Sequence, residues 1–319
     1  MNEEKIALNF SNILLKSNFC KVDSRSQCDI SSEIAGKKIK CPIFISNMKS
    51  ILTPDICKIF DESGWFHIYH RINENEDIFK YVLRANEENW NFVSISIGIK
   101  KQDYELLYKI KNSGLRVDSI CIDIALSWQK SVGDMIKVCK KDFPKTYLIV
   151  GNGDNPKWIE WLENLGVDCA KQNIGASSAC MTRQYTGFGS STITDLENCS
   201  KQAKNIKIIS DGGLTLYNNE VCIGDCAKAI RFGASFIMSG ALFKNCIDSP
   251  SIINGYFGNA SRTAKGNHHV EGTHLIVETN GLTIKETIKL VEDSLKSSIS
   301  YSGGITLSDL KLVDYQIII

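Results

Sequence analysis

The fold class that the 319-residue sequence predicts is a (β/α)8 barrel, on three observations. Eight short apolar runs rich in Ile and Val recur along the chain. Amphipathic stretches separate them. Polar residues and glycines punctuate the C-terminal ends of the runs. A run that is apolar throughout suits a strand covered on both faces of a parallel sheet. Eight such β-α units without a long linker favour closure into a barrel over an open doubly wound sheet.

The runs fall at 41–47, 65–70, 92–98, 118–125, 146–152, 168–173, 206–213 and 234–240. Helical patterns lie between them at 54–63, 75–88, 102–113, 128–142, 155–165, 191–203 and 224–232, with a last one near 283–298. Thr53 before Pro54 and Asn155 before Pro156 read as helix starts. Gly64, Gly114, Gly166 and Gly233 stand where left-handed caps would end helices. Two connections exceed the usual spacing. One holds "NIGASSACMTRQYTGFG" (173–189), and the other covers about 246–282, after the eighth run. In a barrel both lie at the C-terminal face, where active sites are built. One barrel domain over 1–319 is expected.

Composition narrows the function. Lys plus Arg number 37 and Asp plus Glu 36, for a net charge of +1. Such a chain has no global electrostatic reason to bind nucleic acid or an anionic membrane. No run approaches a membrane span, and the acidic N-terminus lacks a signal-peptide apolar core. The 12 cysteines are scattered without a C-x-x-C pair, which predicts reduced thiols in a cytoplasmic protein.

The run ends carry Asn47, His70–Arg71, Gly98, Asp123, Gly151–Asn152 and "SDGG" (210–213). In "SDGG" two glycines let backbone N–H groups approach an anion. With "SGA" (239–241) it forms the loops after the seventh and eighth strands, where barrels commonly hold phosphate. Asp211 suits ribose hydroxyls, and phosphate plus ribose implies a nucleotide. Cys180 sits in a loop of small residues that lets a ligand touch the backbone, with Arg183 near enough in sequence to favour a thiolate. The residues alone reach a nucleotide-binding barrel with a candidate cysteine nucleophile, and leave the electrophile open.

An ordered series of segments goes further: "PIFISNM" (42–48), "ICIDIA" (120–125), "IVGN" (149–152), "GVDCAKQNIGASSACMTR" (166–183), "IISDGG" (208–213), "YFGNAS" (256–261) and "EGTHLIVETNG" (271–281). The series resembles the IMP dehydrogenase/GMP reductase family, over nearly the whole chain. The resemblance implies that Cys180 attacks C2 of a purine nucleotide, with Thr182 and Glu271 handling protons at the departing amine. It implies that Asp211 holds the ribose and that Ser178, Gly212, Gly213, Gly240 and Ala241 surround the phosphate. It assigns Asn47, Asn259, Ser261 and His268 to the nucleotide, and His70, Asp123 and Asn152 to the cofactor. Arg71 with His70 matches a His-Lys pair near the reaction centre. A backbone potassium site would use Gly175 and Cys180.

Within the family, the reductase branch fits best: NADPH, with NADH as the alternative donor, would convert GMP to IMP and ammonia in a cytoplasmic homotetramer. CBS domains are absent, the flap between Tyr256 and Glu271 is short, and it lacks the Arg-Tyr pair that resembles the dehydrogenase's water activator. A CBS-lacking IMP dehydrogenase and a nucleotide-binding protein without catalysis are the alternatives. Departures from the family pattern cluster near the base and cofactor: Ser177 for glycine, Lys49 for aspartate, "ALSW" (125–128) for Ala-Asn-Gly-Tyr, Asn259 for methionine and His268 for arginine. Another 2-aminopurine nucleotide or a deoxynucleotide is therefore a further possible substrate.

Overall fold

A computed structural model describes residues 6–72, 75–217, 220–265 and 271–318. Seven parallel strands form its main sheet: β1 (Ile43–Ile45), β2 (Ser94–Ile97), β3 (Ser119–Asp123), β4 (Tyr147–Gly153), β5 (Cys169–Gln172), β6 (Lys207–Asp211) and β7 (Phe236–Ser239). Their order is β1-β7-β6-β5-β4-β3-β2, so the first strand pairs with the last and the sheet curls as a barrel wall. The remaining expected strand, 65–70, does not form a full ladder. Tyr69 alone bridges it to β2, through Tyr69 N–H to Ser94 O (2.9 Å) and Ser96 N–H to Tyr69 O (2.8 Å). On its other flank the rings of Phe44 and Phe66, 4.9 Å apart, pack across the seam to β1.

The uniformly apolar runs reflect burial on two faces. Phe44, Cys121, Ile149, Cys169, Ile209, Phe236 and Met238 share one cluster inside the barrel. Their neighbours Ile43, Ile45, Ile120, Ile122, Leu148, Val150, Ala170, Ile208 and Ile237 join the cluster beneath the helices. This is the period-two alternation of a strand. A hairpin, Ser32–Ile34 paired with Lys37–Ile39, adds Ile34 and Ile39 to the interior cluster, where Tyr147 at the start of β4 also packs. The N-terminal end of the barrel is thus plugged with side chains, and a ligand must enter from the other end.

The helices follow the sequence periodicity closely. They are α1 (Pro54–Glu62), α2 (Asn75–Glu87), α3 (Lys101–Ser113), α4 (Lys130–Asp142), α5 (Pro156–Asn164), α6 (Thr194–Gln202), α7 (Asp225–Arg231) and α8 (Ile284–Tyr301). Thr53 caps α1 by accepting from Ile56 N–H, and Asn155 caps α5 by accepting from Lys157 N–H. The four glycines expected after helices all have positive φ. Strand Ile13–Leu15 pairs antiparallel with Tyr315–Ile317, joining the two ends of the described chain outside the barrel. Among the described residues no helix is long and apolar enough to cross a membrane.

Candidate active site

Two residues above the apolar plug, each inward position changes character. Asp123 follows Cys121, Gly151 follows Ile149, Lys171 follows Cys169 and Asp211 follows Ile209. Lys171 is only 2% exposed. Its ammonium donates to Asp211 Oδ2 (2.8 Å) and Asn152 Oδ1 (2.7 Å) and pairs with Asp123 Oδ1 at 3.1 Å. Asn152 Nδ2 donates to the same Asp211 oxygen at 2.9 Å. Arg71 completes the far side, donating from Nε to Asp123 O (2.8 Å) and lying 3.3 Å from Asp123 Oδ2. Burial alone would strip the charge from Lys171, but Asp211 and Asp123 hold its pKa well above the ordinary lysine value. Burial likewise works to raise the Asp123 pKa, and Lys171 and Arg71 outweigh it, so that carboxyl stays below the ordinary value.

The strand-end loops then build the mouth. Gly212 and Gly213 both take left-handed backbone, at φ 76° and 77°. A Cβ at Gly213 would lie 2.5 Å from Thr192 Cγ2, and one at Gly240 would lie 2.7 Å from the Tyr256 hydroxyl. Neither position tolerates a side chain, which leaves main chain facing the ligand.

The cysteine loop is pinched at its base. Ile174 N–H donates to Ser190 Oγ (2.7 Å), and Ser190 N–H donates back to Ile174 O (2.8 Å). Arg183 spends its guanidinium on this closure, donating to Ser190 O while its stem packs against Gly175 and Gly189. The expectation that Arg183 supports a thiolate is therefore corrected: its guanidinium reaches Ser190 O, and Arg183 does not line the cleft that holds Cys180.

The flap reaches the loop through main chain. Cys180 and Gly272 form an antiparallel bridge, Met181 N–H donates to Glu271 O (2.7 Å) and Thr273 N–H donates to Ala179 O (3.0 Å). That registry sets the side chains. Cys180 Sγ lies 3.2 Å from Thr182 Oγ1, which donates to Glu271 Oε2 at 2.8 Å. Cys180 is half-buried, whereas nine cysteines with raised thiol pKa values are buried elsewhere in the fold (Cys28, Cys41, Cys57, Cys121, Cys139, Cys169, Cys199, Cys226 and Cys246). A thiol, a hydroxyl and a carboxylate in series can pass a proton from a nucleophile to a leaving group.

These parts enclose one cleft of about 1200 Å³. Asn47, Arg71, Asp123, Asn152, Gly175, Ser178, Cys180, Thr182, Asp211, Gly212, Gly213, Gly240, Ala241, Asn259 and Glu271 all line it. Two expected site residues do not line it. His70 is 2% exposed, and burial, then Lys49, pushes its pKa down to about 4. Ser261 is 1% exposed and bridges Gly272. His268 lies outside the described residues. Sequence reasoning missed Lys171 and Tyr256 as parts of the site. The signal for Lys171 was a cation in a strand with no exposed face, where it must find carboxylates.

A parallel α/β barrel with a glycine loop after β6 and a half-buried thiol at its mouth has the layout of a barrel enzyme with a candidate nucleophile. The family model described as IMP dehydrogenase / GMP reductase domain matches residues 7–315, and the chain belongs to that family. A GMP reductase of Staphylococcus carnosus is 36% identical over 97% of this chain and 95% of its own length. GMP reductases of Staphylococcus epidermidis and Staphylococcus aureus are each 38% identical over the same shares.

Proposed function

We propose that the chain is a GMP reductase-type oxidoreductase, converting a 2-aminopurine nucleotide, GMP in the first instance, to IMP and ammonia. The observation that carries this reading is the Cys180–Thr182–Glu271 series at the open end of the barrel. The sulfur of Cys180 bonds to C2 of the purine. The thiol proton passes by way of the Thr182 hydroxyl to Glu271 and on to the exocyclic amine, which leaves as ammonia. A bound nicotinamide dinucleotide, NADPH by family resemblance, would supply the hydride to C2. As the purine leaves, the C2–S bond breaks with its electron pair going to Cys180, and the thiolate takes up one proton from solvent to restore the thiol.

Gly212, Gly213, Gly240, Ala241 and Ser178 are the proposed phosphate contacts and Asp211 the proposed ribose contact. The remaining cleft supports the dinucleotide. A pocket for one drug-sized ligand is roughly 300–1,000 Å³, and this one is larger, at about 1200 Å³. Its far wall carries Arg71, Lys49 and Lys100, which suit phosphate oxygens. Asp123 and Asn152 are the proposed contacts to its sugar. A potassium ion held by the Gly175 and Cys180 carbonyls is a further part of the reading that the resemblance carries, and dependence of turnover on added K+ would test it.

Asn259 favours a second reading of the substrate. Its Nδ2 donates to Asn47 O at 3.1 Å, while its buried Oδ1 has no partner. If Asn259 faces the base, as the resemblance implies, that free acceptor suits a purine bearing an added donor. The test is NADPH oxidation at 340 nm with ammonia release, offering GMP, dGMP and other 2-aminopurine nucleotides in turn. Oxidation with none of them, or NADH production from IMP and NAD, overturns the proposal. The resemblance also carries a single-barrel, cytoplasmic homotetramer, and sedimentation of the purified protein as a monomer would remove that part.

A further inference from the structure

The ion pairs beneath the cleft form one continuous chain across it. Arg71 contacts Asp123, Asp123 contacts Lys171 at 3.1 Å, and Lys171 contacts Asp211 at 2.8 Å. Asp211 opens the glycine loop on the proposed nucleotide side, and Arg71 and Asp123 face the proposed dinucleotide side. Lys171 starts on β5 and must cross β4 to reach Asp123 on β3. Gly151 provides the passage. A Cβ there would sit 2.4 Å from Lys171 Cβ. Asn152 bonds to Lys171 and to the same Asp211 oxygen, so the crossing is held in one geometry.

Charges in this chain cannot adjust singly. Asp211 and Asp123 share one ammonium that is out of solvent, so a shift of either carboxylate toward a ligand draws on the other's partner. We propose that Lys171 is a positioning residue that couples the two halves of the cleft, so that nucleotide bound on the Asp211 side raises affinity for dinucleotide on the Asp123 side, and the reverse. The inference rests on the two-ligand reading above and adds to it a named link between the ligands. By linkage, the two ligands must change one another's affinity by the same factor.

The test is calorimetry on the full chain with GMP and NADP+, a pair that does not react. For the native protein, the GMP dissociation constant is expected to fall about five-fold or more at saturating NADP+, a typical coupling, with the same factor for NADP+ at saturating GMP. Lys171→Met is expected to bring that factor to within two-fold of unity, and Lys171→Arg to restore it. Asp123→Asn is the second variant, because it removes the carboxylate charge that pairs with both Lys171 and Arg71 while Lys171 keeps Asp211 and Arg71 keeps its bond to the Asp123 carbonyl; it too should abolish the factor. A merely structural lysine would lower both affinities and leave the factor intact. Unchanged coupling in folded Lys171→Met or in Asp123→Asn, or no coupling in the native protein, overturns the proposal. Failure of the native protein to bind either ligand removes the functional reading instead, and the coupling with it.

Discussion

Gly151→Ala tests the barrel's upper layer directly. The added methyl would lie 2.4 Å from Lys171 Cβ and 2.6 Å from Lys171 O. Those atoms are the root of a side chain and the main chain of β5, so no rotamer change relieves the contact. Overpacking a tight interior costs about 1–3 kcal/mol. If β5 moves to make room, Lys171 withdraws from Asp123 and Asp211, and breaking a buried pair costs about 3–5 kcal/mol. We expect a loss of about 3 kcal/mol or more. Unfolding entropy is about 2 cal/mol/K per residue, so for 319 residues this lowers Tm by about 5 °C. Gly224→Ala is the control: its φ is −58° and a Cβ there meets nothing within 4 Å, so Tm should move by no more than about 1 °C. Differential scanning calorimetry reads both. A Gly151→Ala protein with native Tm and native nucleotide affinity would refute the claim that Lys171 needs this passage.

Cys180→Ala should abolish turnover and leave the nucleotide dissociation constant within about three-fold, since the proposed phosphate and ribose contacts remain; loss of binding would show that the thiol shapes the pocket. Glu271→Gln should slow ammonia release in single turnover about 10²–10⁴-fold, the range for a lost general acid–base group, and hydride transfer much less; the opposite pattern would take Glu271 out of the proton route. The buried histidines give the fold an acid dependence. Burial holds His67 and His70 neutral, with pKa values of about 3 and about 4 against an ordinary 6.5. Their contribution is therefore fully present above pH 6.5 and is lost as pH falls through those values. Urea denaturation midpoints should decline between pH 6.5 and 4.5, and His67→Gln should flatten the slope; an unchanged slope would mean other groups set it.

Most of the barrel was legible because double-sided burial leaves a plain mark on sequence. "SICID" and "YLIVGNG" read as strands since every second residue enters the interior and the others meet helices. The segment 65–70 carries the same mark yet pairs only through Tyr69: burial selects apolar residues whether or not the backbone completes a ladder, so periodicity does not tell the two apart. At the site, Cys180, Thr182, Glu271, Asp211 and the glycines converge on one cleft as the motifs suggested. Lys171 was passed over because its partners Asp123 and Asp211 lie 48 and 40 residues away in the sequence and meet only once the strands lie side by side. Arg183 was misjudged for the converse reason. Closeness in sequence suggested a neighbour for the thiol, whereas Ser190 across the loop takes its guanidinium.

The bridge between Cys180 and Gly272 gives the flap a second meaning. Thr182 and Glu271 are separated by 89 positions, yet their spacing is fixed by main-chain pairing one step away on each side. Any excursion that lifts Glu271 from the mouth would also pull on the loop that carries Cys180, because the two segments share main-chain bonds. On the proposed mechanism, release of product and separation of sulfur from carboxylate would then come as one event.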